Sequence, residues 1–135
     1  MLNTTHSNPS TILTLVVSRP GIMRQSLQAA LSAYSWIVVS ASVGDGLTAL
    51  NYTAEHHPEL LVIDANLLDE EIEALLAAVK VRAPDTYCLV FTWSNQAAKR
   101  LLAAGADRVI HRDSPAQELQ TVLLRLTQNE LDGRV

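Results

Sequence analysis

The stretch "LLVIDANLLDEEIEALLAAVKV", Leu60 to Val81, carries the reading of this chain. Leu60 to Ile63 form a short, wholly apolar run with no polar alternate, the pattern of a strand buried on both faces. Asp64 is the first polar side chain after it. From Asp69 the periodicity changes: Ile72, Leu75, Leu76 and Val79 recur at helical spacing and form one inner stripe. Asp69, Glu70, Glu71 and Glu73 crowd the start of that helix while Lys80 and Arg82 stand near its end, both in the sense that complements the macrodipole. A buried strand followed directly by an amphipathic helix is one βα unit.

The same alternation extends in both directions. Thr11 to Val17 is β-rich and ends at the breaker Pro20-Gly21, after which Ile22, Met23, Leu27, Ala30 and Leu31 keep helical spacing. Trp36 to Val39 is again β-rich, and Gly44-Asp45-Gly46 breaks the chain before a helical face of Leu47, Leu50 and Ala54. Leu89 to Thr92 reads as a buried strand, Ala97 to Ala104 as a short helix stopped by Gly105, and Arg108 to Ile110 as a brief strand. Ser114-Pro115-Ala116-Gln117 supplies a helix start, with Leu119, Val122, Leu123 and Leu126 on its inner face. Five βα units with short connections predict an α/β domain: a doubly wound parallel sheet with helices on both faces, in three layers. The domain is expected over 11–128, with polar tails at 1–10 and 129–135.

Composition narrows the function classes. Of 135 residues 48% are hydrophobic and 18% charged, a globular balance. The net charge of −4 leaves no basic footprint for a nucleic-acid backbone, so direct DNA or RNA binding by this domain is not expected. Cys88, the single cysteine, sits in an apolar run and reads as a small buried hydrophobe in a reducing, cytoplasmic setting. No apolar run reaches the roughly 18 residues of a membrane span, and "MLNTTHSNPS" lacks the pattern of a signal peptide.

In a parallel α/β sheet, ligands gather at the carboxyl ends of the strands, near the point where strand order reverses. Those ends supply Ser18 and Arg19, Asp64 to Asn66, Thr92 and Trp93, and His111 to Asp113. An Asp there is either a chemical site or a residue closing an Asx-turn. Other chemistries lack their patterns. His6, His56, His57 and His111 are scattered without zinc spacing, Ser18, Ser94 and Ser114 have no G-x-S-x-G context, and no phosphate-binding glycine loop is present.

The stretches "PELLVIDANLLD", "SVGDGLTAL", "CLVFTW" and "GADRVIHRDSPAQEL", in this order and spacing, resemble the receiver domain of two-component response regulators across nearly all of Thr11 to Leu126. The resemblance implies a flavodoxin-like (βα)5 fold and a non-enzymatic role in signal transduction. It implies Asp64 as phosphoacceptor, Thr92 as the hydroxyl contacting the phosphoryl group, and a protein partner: a histidine kinase, an output protein or a second copy. The face from Ala97 to Leu126, which receivers often use for dimers, is the expected interaction surface.

The chain departs from that family's pattern at several points. Ser18 and Arg19 stand where the family has an acidic pair that holds Mg²⁺. Arg112 stands at its lysine, Val109 at its aromatic switch residue, and Trp93 follows Thr92 where small residues are usual. Of the metal ligands only Asp64 and the Asn66 carbonyl remain, too few acids for an ion that favours carboxylates and water. No cofactor is therefore expected, and Mg²⁺ only if these two still hold it. Arg19, Arg112 or both are expected to neutralise Asp64 through charge-assisted contacts. Trp93 is expected to be a half-buried packing residue. Two alternatives stand beside this reading: a working receiver phosphorylated on Asp64, alone or as part of a transcriptional regulator, and a small-molecule or enzymatic domain by fold analogy alone.

Overall fold

The computed structural model describes residues 11–132, with side chains described through 127. Five parallel strands form one sheet in the order β2-β1-β3-β4-β5. They are β1 (Ile12–Val17), β2 (Ile37–Val43), β3 (Leu60–Ile63), β4 (Tyr87–Thr92) and β5 (Arg108–His111). The helices are α1 (Ile22–Ser32), α2 (Gly46–His56), α3 (Asp69–Arg82), α4 (Asn95–Ala104) and α5 (Ala116–Asp132). This is the flavodoxin-like (βα)5 arrangement.

β3 lies mid-sheet, and all four of its residues have no exposed surface, as its unbroken apolar run requires. The sheet divides the core in two. On one face Leu15, Leu61, Ile63 and Val90 pack against α2, α3 and α4 through Ala49, Ile72, Leu76, Val79 and Leu101. On the other, Val16, Leu60, Val62 and Leu89 pack against α1 and α5 through Leu27, Leu31, Val122 and Leu123.

Two boundaries differ from the sequence reading. β2 continues past Val39 to Val43, because its pairing with β1 slips by one residue there: Thr14 pairs with Val39, Leu15 with Ala41. The extra residue, Ser40, donates from its hydroxyl to the Thr14 carbonyl at 3.2 Å and accepts from the Tyr52 hydroxyl at 2.8 Å. A bulge on an edge strand hides polar residues from a periodicity count. α5 runs on to Asp132, beyond the expected boundary at 128. The expected tail 1–10, and the end of the other beyond Asp132, lie outside the described residues.

Candidate functional site

Strand order reverses between β1 and β3. β1 leads into α1 on one face of the sheet, and β3 leads into α3 on the other, so the carboxyl ends of these neighbours open a crevice. The ladder continues a residue beyond each strand. The Ser18 amide donates to Val43 O at 2.9 Å, the Asp64 amide to Val17 O at 2.9 Å, and the Arg112 amide to Thr92 O at 2.7 Å. Backbone pairing thus sets Ser18, Asp64, Thr92 and Arg112 along one rim.

Asp64 is fully buried. Its Oδ1 accepts from the Ala65 amide at 2.8 Å and its Oδ2 from the Ser18 hydroxyl at 3.2 Å. Arg112 brings its Nε to 3.2 Å from Asp64 Oδ1. That nitrogen is buried and makes no aligned hydrogen bond, so the contact is an ion pair held by proximity and not a bidentate fork. The Arg112 guanidinium also lies over the Phe91 ring, 5.5 Å from its centroid. Desolvating a carboxylate offsets much of the Coulombic gain of such a pair, so its worth is best judged by the cost of removing one partner.

Arg19 is not on Asp64, so of the two arginines expected singly or together beside the acceptor, Arg112 is the one that lies against it. Its Nε donates to the Asn66 carbonyl at 3.0 Å, its backbone amide donates to Asn66 Oδ1 at 3.2 Å, and its Nη2 lies 3.6 Å from Glu71 Oε1. Glu71 draws the guanidinium away from the acceptor and over the crevice. Asn66 returns a bond, donating from Nδ2 to the Ser18 hydroxyl at 3.1 Å. The resulting network links Arg19, Asn66, Ser18 and Asp64 without any second acid at the end of β1.

Two participants escaped sequence reading. Arg24, on the first turn of α1, donates from Nε and Nη2 to the Ser18 carbonyl at 2.8 and 2.5 Å. Glu71 accepts from the Gly46 amide at 2.8 Å as well as facing Arg19, tying the start of α2 to α3. In the sequence Glu71 is one of several acids at a helix start and Arg24 carries no signal of its own; only the placement of the neighbouring loops gives them partners.

Thr92 is buried, but its hydroxyl is engaged in its own loop. It accepts from the Ser94 amide at 3.1 Å and donates to the Ser94 carbonyl at 3.3 Å. Trp93 is 55% exposed, against the expectation of a packing residue; it meets His111 edge-on at 6.5 Å, and His111 Nε2 lies 2.8 Å from the Trp93 carbonyl. Its ring follows the β4–α4 loop outward, while Val109 packs partly buried beneath α4. Thr92, Trp93, Ala65, Phe91 and Leu101 line a small cavity of about 130 Å³. A larger one, about 400 Å³, opens at the other end of the sheet by His57 and Thr86, remote from Asp64. Among the described residues no cluster of His, Cys, Asp and Glu is arranged to hold a metal.

Fold and rim together define a receiver-type α/β domain with one buried carboxylate at its switch point. The family model of the response regulator receiver domain matches residues 15–124, and the chain belongs to that family. It is therefore a receiver domain of two-component signal transduction. Solved structures agree on the fold. The signal receiver domain of the response regulator NarL from Mycobacterium tuberculosis superposes with a TM-score of 0.77 at 21% identity, covering 89% of this chain and 98% of that one. The response regulator domain of Thermotoga maritima CheB gives 0.71 at 22%, covering 87% and 97%. The receiver domain of the sensor histidine kinase PA1611 from Pseudomonas aeruginosa, with a magnesium ion coordinated in its active-site cleft, gives 0.75 at 17%, covering 87% and 98%. No curated protein matches the chain. No described helix is long and apolar enough to cross a membrane.

Proposed function

We propose that this receiver domain is a non-enzymatic protein-recognition module whose acceptor site is neutralised from within, so that partner binding does not depend on Mg²⁺-dependent phosphorylation. The observation that carries this reading is Arg112 Nε at 3.2 Å from the buried Asp64 carboxylate. The metal position argues the same way. Mg²⁺ demands near-octahedral oxygen ligands and gives up water reluctantly. Here the Asn66 carbonyl is occupied by Arg19, and both Asp64 oxygens already accept hydrogen bonds. A divalent ion would also meet the Arg19 guanidinium; at about 4 Å, unit charges near a protein surface repel by roughly 4 kcal/mol. The residues present do not fit the ion.

Partner recognition is assigned to the face from Ala97 to Leu126, where Leu102 and Leu124 remain about half exposed. Arg100 holds α4 against α3 through Asp69 at 3.2 Å and Glu73 at 3.1 Å, which favours one standing arrangement of that face. The partner is an output protein or a kinase of the same signalling system, in the cytoplasm.

A second reading keeps Asp64 as a working acceptor for a histidine kinase. Its support is that Asp64, Thr92 and Arg112 share one rim, and that the PA1611 receiver of the same fold coordinates magnesium in its cleft. Incubation with a small phosphodonor and Mg²⁺, followed by intact-mass measurement of wild type and Asp64→Ala, separates the two. The proposal expects no added phosphoryl mass; a stable addition that disappears in Asp64→Ala establishes the second reading instead.

A further inference from the structure

A cavity of about 180 Å³ lies between α1 and α5, on the face of the sheet opposite α3. Its walls are apolar: Leu27 of α1, Phe91 of β4, Ile110 of β5 and Leu119 of α5, all buried. Two polar side chains, Arg112 and Ser114, share the lining. Ala30 of α1 and Ala116 of α5 also line it and are exposed, so they mark its mouth.

The donors that Arg112 brings there are unused. A guanidinium carries five N–H groups. Asp64 Oδ1 lies 3.2 Å from Nε and offsets the charge, yet that buried Nε makes no aligned hydrogen bond. Among the described residues, no acceptor takes a hydrogen bond from the rest of the fork either. The Phe91 ring faces the cation at 5.5 Å without offering a lone pair. Ser114 donates its amide to the His111 carbonyl at 2.9 Å, and its hydroxyl is free among the described residues. Buried donors without an acceptor are uncommon, and a cavity beside them is where one fits.

Charge and shape select the occupant. Asp113 is outside the lining, and Glu118 is drawn to Arg108 Nη2 at 3.5 Å, so no carboxylate of this loop or of the first turn of α5 lines the cavity. The start of α5 at Ala116 adds the partial positive charge of a helix N-terminus. Inorganic phosphate satisfies the cation but sets its oxygens against four apolar walls. A neutral hydrocarbon fills the walls and leaves the guanidinium unmet. An apolar cavity of about 150 Å³ takes a benzene ring, so this one holds a single ring with a short acidic arm.

We propose that the α1–α5 cavity binds a small monocarboxylic acid with a one-ring apolar body. The ring sits among Leu27, Phe91, Ile110 and Leu119, and the carboxylate accepts from Arg112 and Ser114. Asp64 and the bound acid draw on the same guanidinium, so the two carboxylates compete for it.

Titration of the ¹⁵N-labelled full chain with phenylacetate, followed by amide chemical shifts, tests this. Saturable shifts are expected at Leu27 to Ala30, Phe91 and Arg112 to Leu119, with Kd on the order of millimolar for so few ligand atoms. Acetate, inorganic phosphate and benzyl alcohol, which each lack one half of the match, should bind at least about tenfold more weakly. Arg112→Gln should lose at least about tenfold in affinity. Ala30→Trp, a change at an exposed position that closes the mouth without touching the core, should lose as much while keeping the wild-type spectrum elsewhere. Asp64→Asn removes the competing carboxylate and should tighten binding at least about twofold. Shifts that stay linear with phenylacetate concentration overturn the proposal. So do equal shifts with acetate, affinity untouched by Ala30→Trp, or affinity no tighter in Asp64→Asn.

Discussion

Arg19 donates from its Nε to the carbonyl of Asn66 across 3.0 Å, occupying with a guanidinium the backbone oxygen that sequence reading had left for a metal. Restoring acids at the end of β1 should therefore restore ion binding. The variant Ser18→Asp/Arg19→Asp is expected to melt below wild type in chelator, because a new carboxylate then faces Asp64 at close range. Millimolar Mg²⁺ should raise its melting temperature, with about 2.7 kcal/mol gained at a hundredfold excess over Kd. Wild type should not respond. Thermal melts with and without Mg²⁺ check both arms, and a rise of similar size in wild type sinks the account of Arg19.

Removal of Arg112 leaves the Asp64 carboxylate fully buried without its counter-charge. Arg112 itself keeps 18% side-chain exposure, so the loss should sit at the low end for a broken buried pair, about 3 kcal/mol for Arg112→Ala. Asp64→Asn should cost clearly less, since it removes the buried charge and leaves a cation that reaches water. The order of the two variants in urea unfolding is the test. Equal or inverted costs mean that Arg112 contributes packing on Phe91 and little electrostatics.

The fold was legible because each signal was local: unbroken apolar runs for β3 and β4, a 3.6-residue stripe in α3, Gly105 at the end of α4. The bulge at Ser40 was not, since a slip between neighbouring strands leaves no mark on either strand's own periodicity. At the rim, strand ends located Asp64, Thr92, Ser18 and Arg112 from topology alone. The aim of Arg19 was not legible: it depends on Glu71 and Asn66, which come from a loop and a helix some 50 positions later. Trp93 was misread because large aromatics usually bury their area, and here the β4–α4 loop turns the ring outward over His111.

Asp45 caps α2, accepting from the Thr48 amide at 2.8 Å and from the Thr48 hydroxyl at 3.0 Å. These bonds hold its carboxyl below the ordinary value of 3.8. A depressed folded value means the cap's contribution is complete above that ordinary value and fades as pH falls below it. Asp45→Ala should lower the urea midpoint at neutral pH, and the gap to wild type should close as acid protonates the carboxyl. Asp45→Asn should retain most of the neutral-pH stability, because an amide oxygen still caps. A gap unchanged between neutral and strongly acidic pH contradicts the role given to the ionised form.

Cys88 has no exposed surface, and burial pushes its thiol up to about 12, with the Asp107 carboxylate adding to the effect. Only the thiolate is a competent nucleophile. The native thiol should therefore resist Ellman's reagent at pH 8 and react only as fast as the domain opens, so the labelling rate reports unfolding at the start of β4. Alkali should also weaken the fold through this group. Its folded value lies above the unfolded one, so the stability it carries is intact below about pH 9 and is lost progressively towards pH 12. In that window the slope from this one group is at most about 1.4 kcal/mol per pH unit. Cys88→Ala removes the titrating group and should flatten the alkaline limb relative to wild type, while starting lower at neutral pH because a small core space is left empty. Prompt labelling of the folded wild type, at a rate independent of added stabiliser, rules out the buried placement on which both expectations rest.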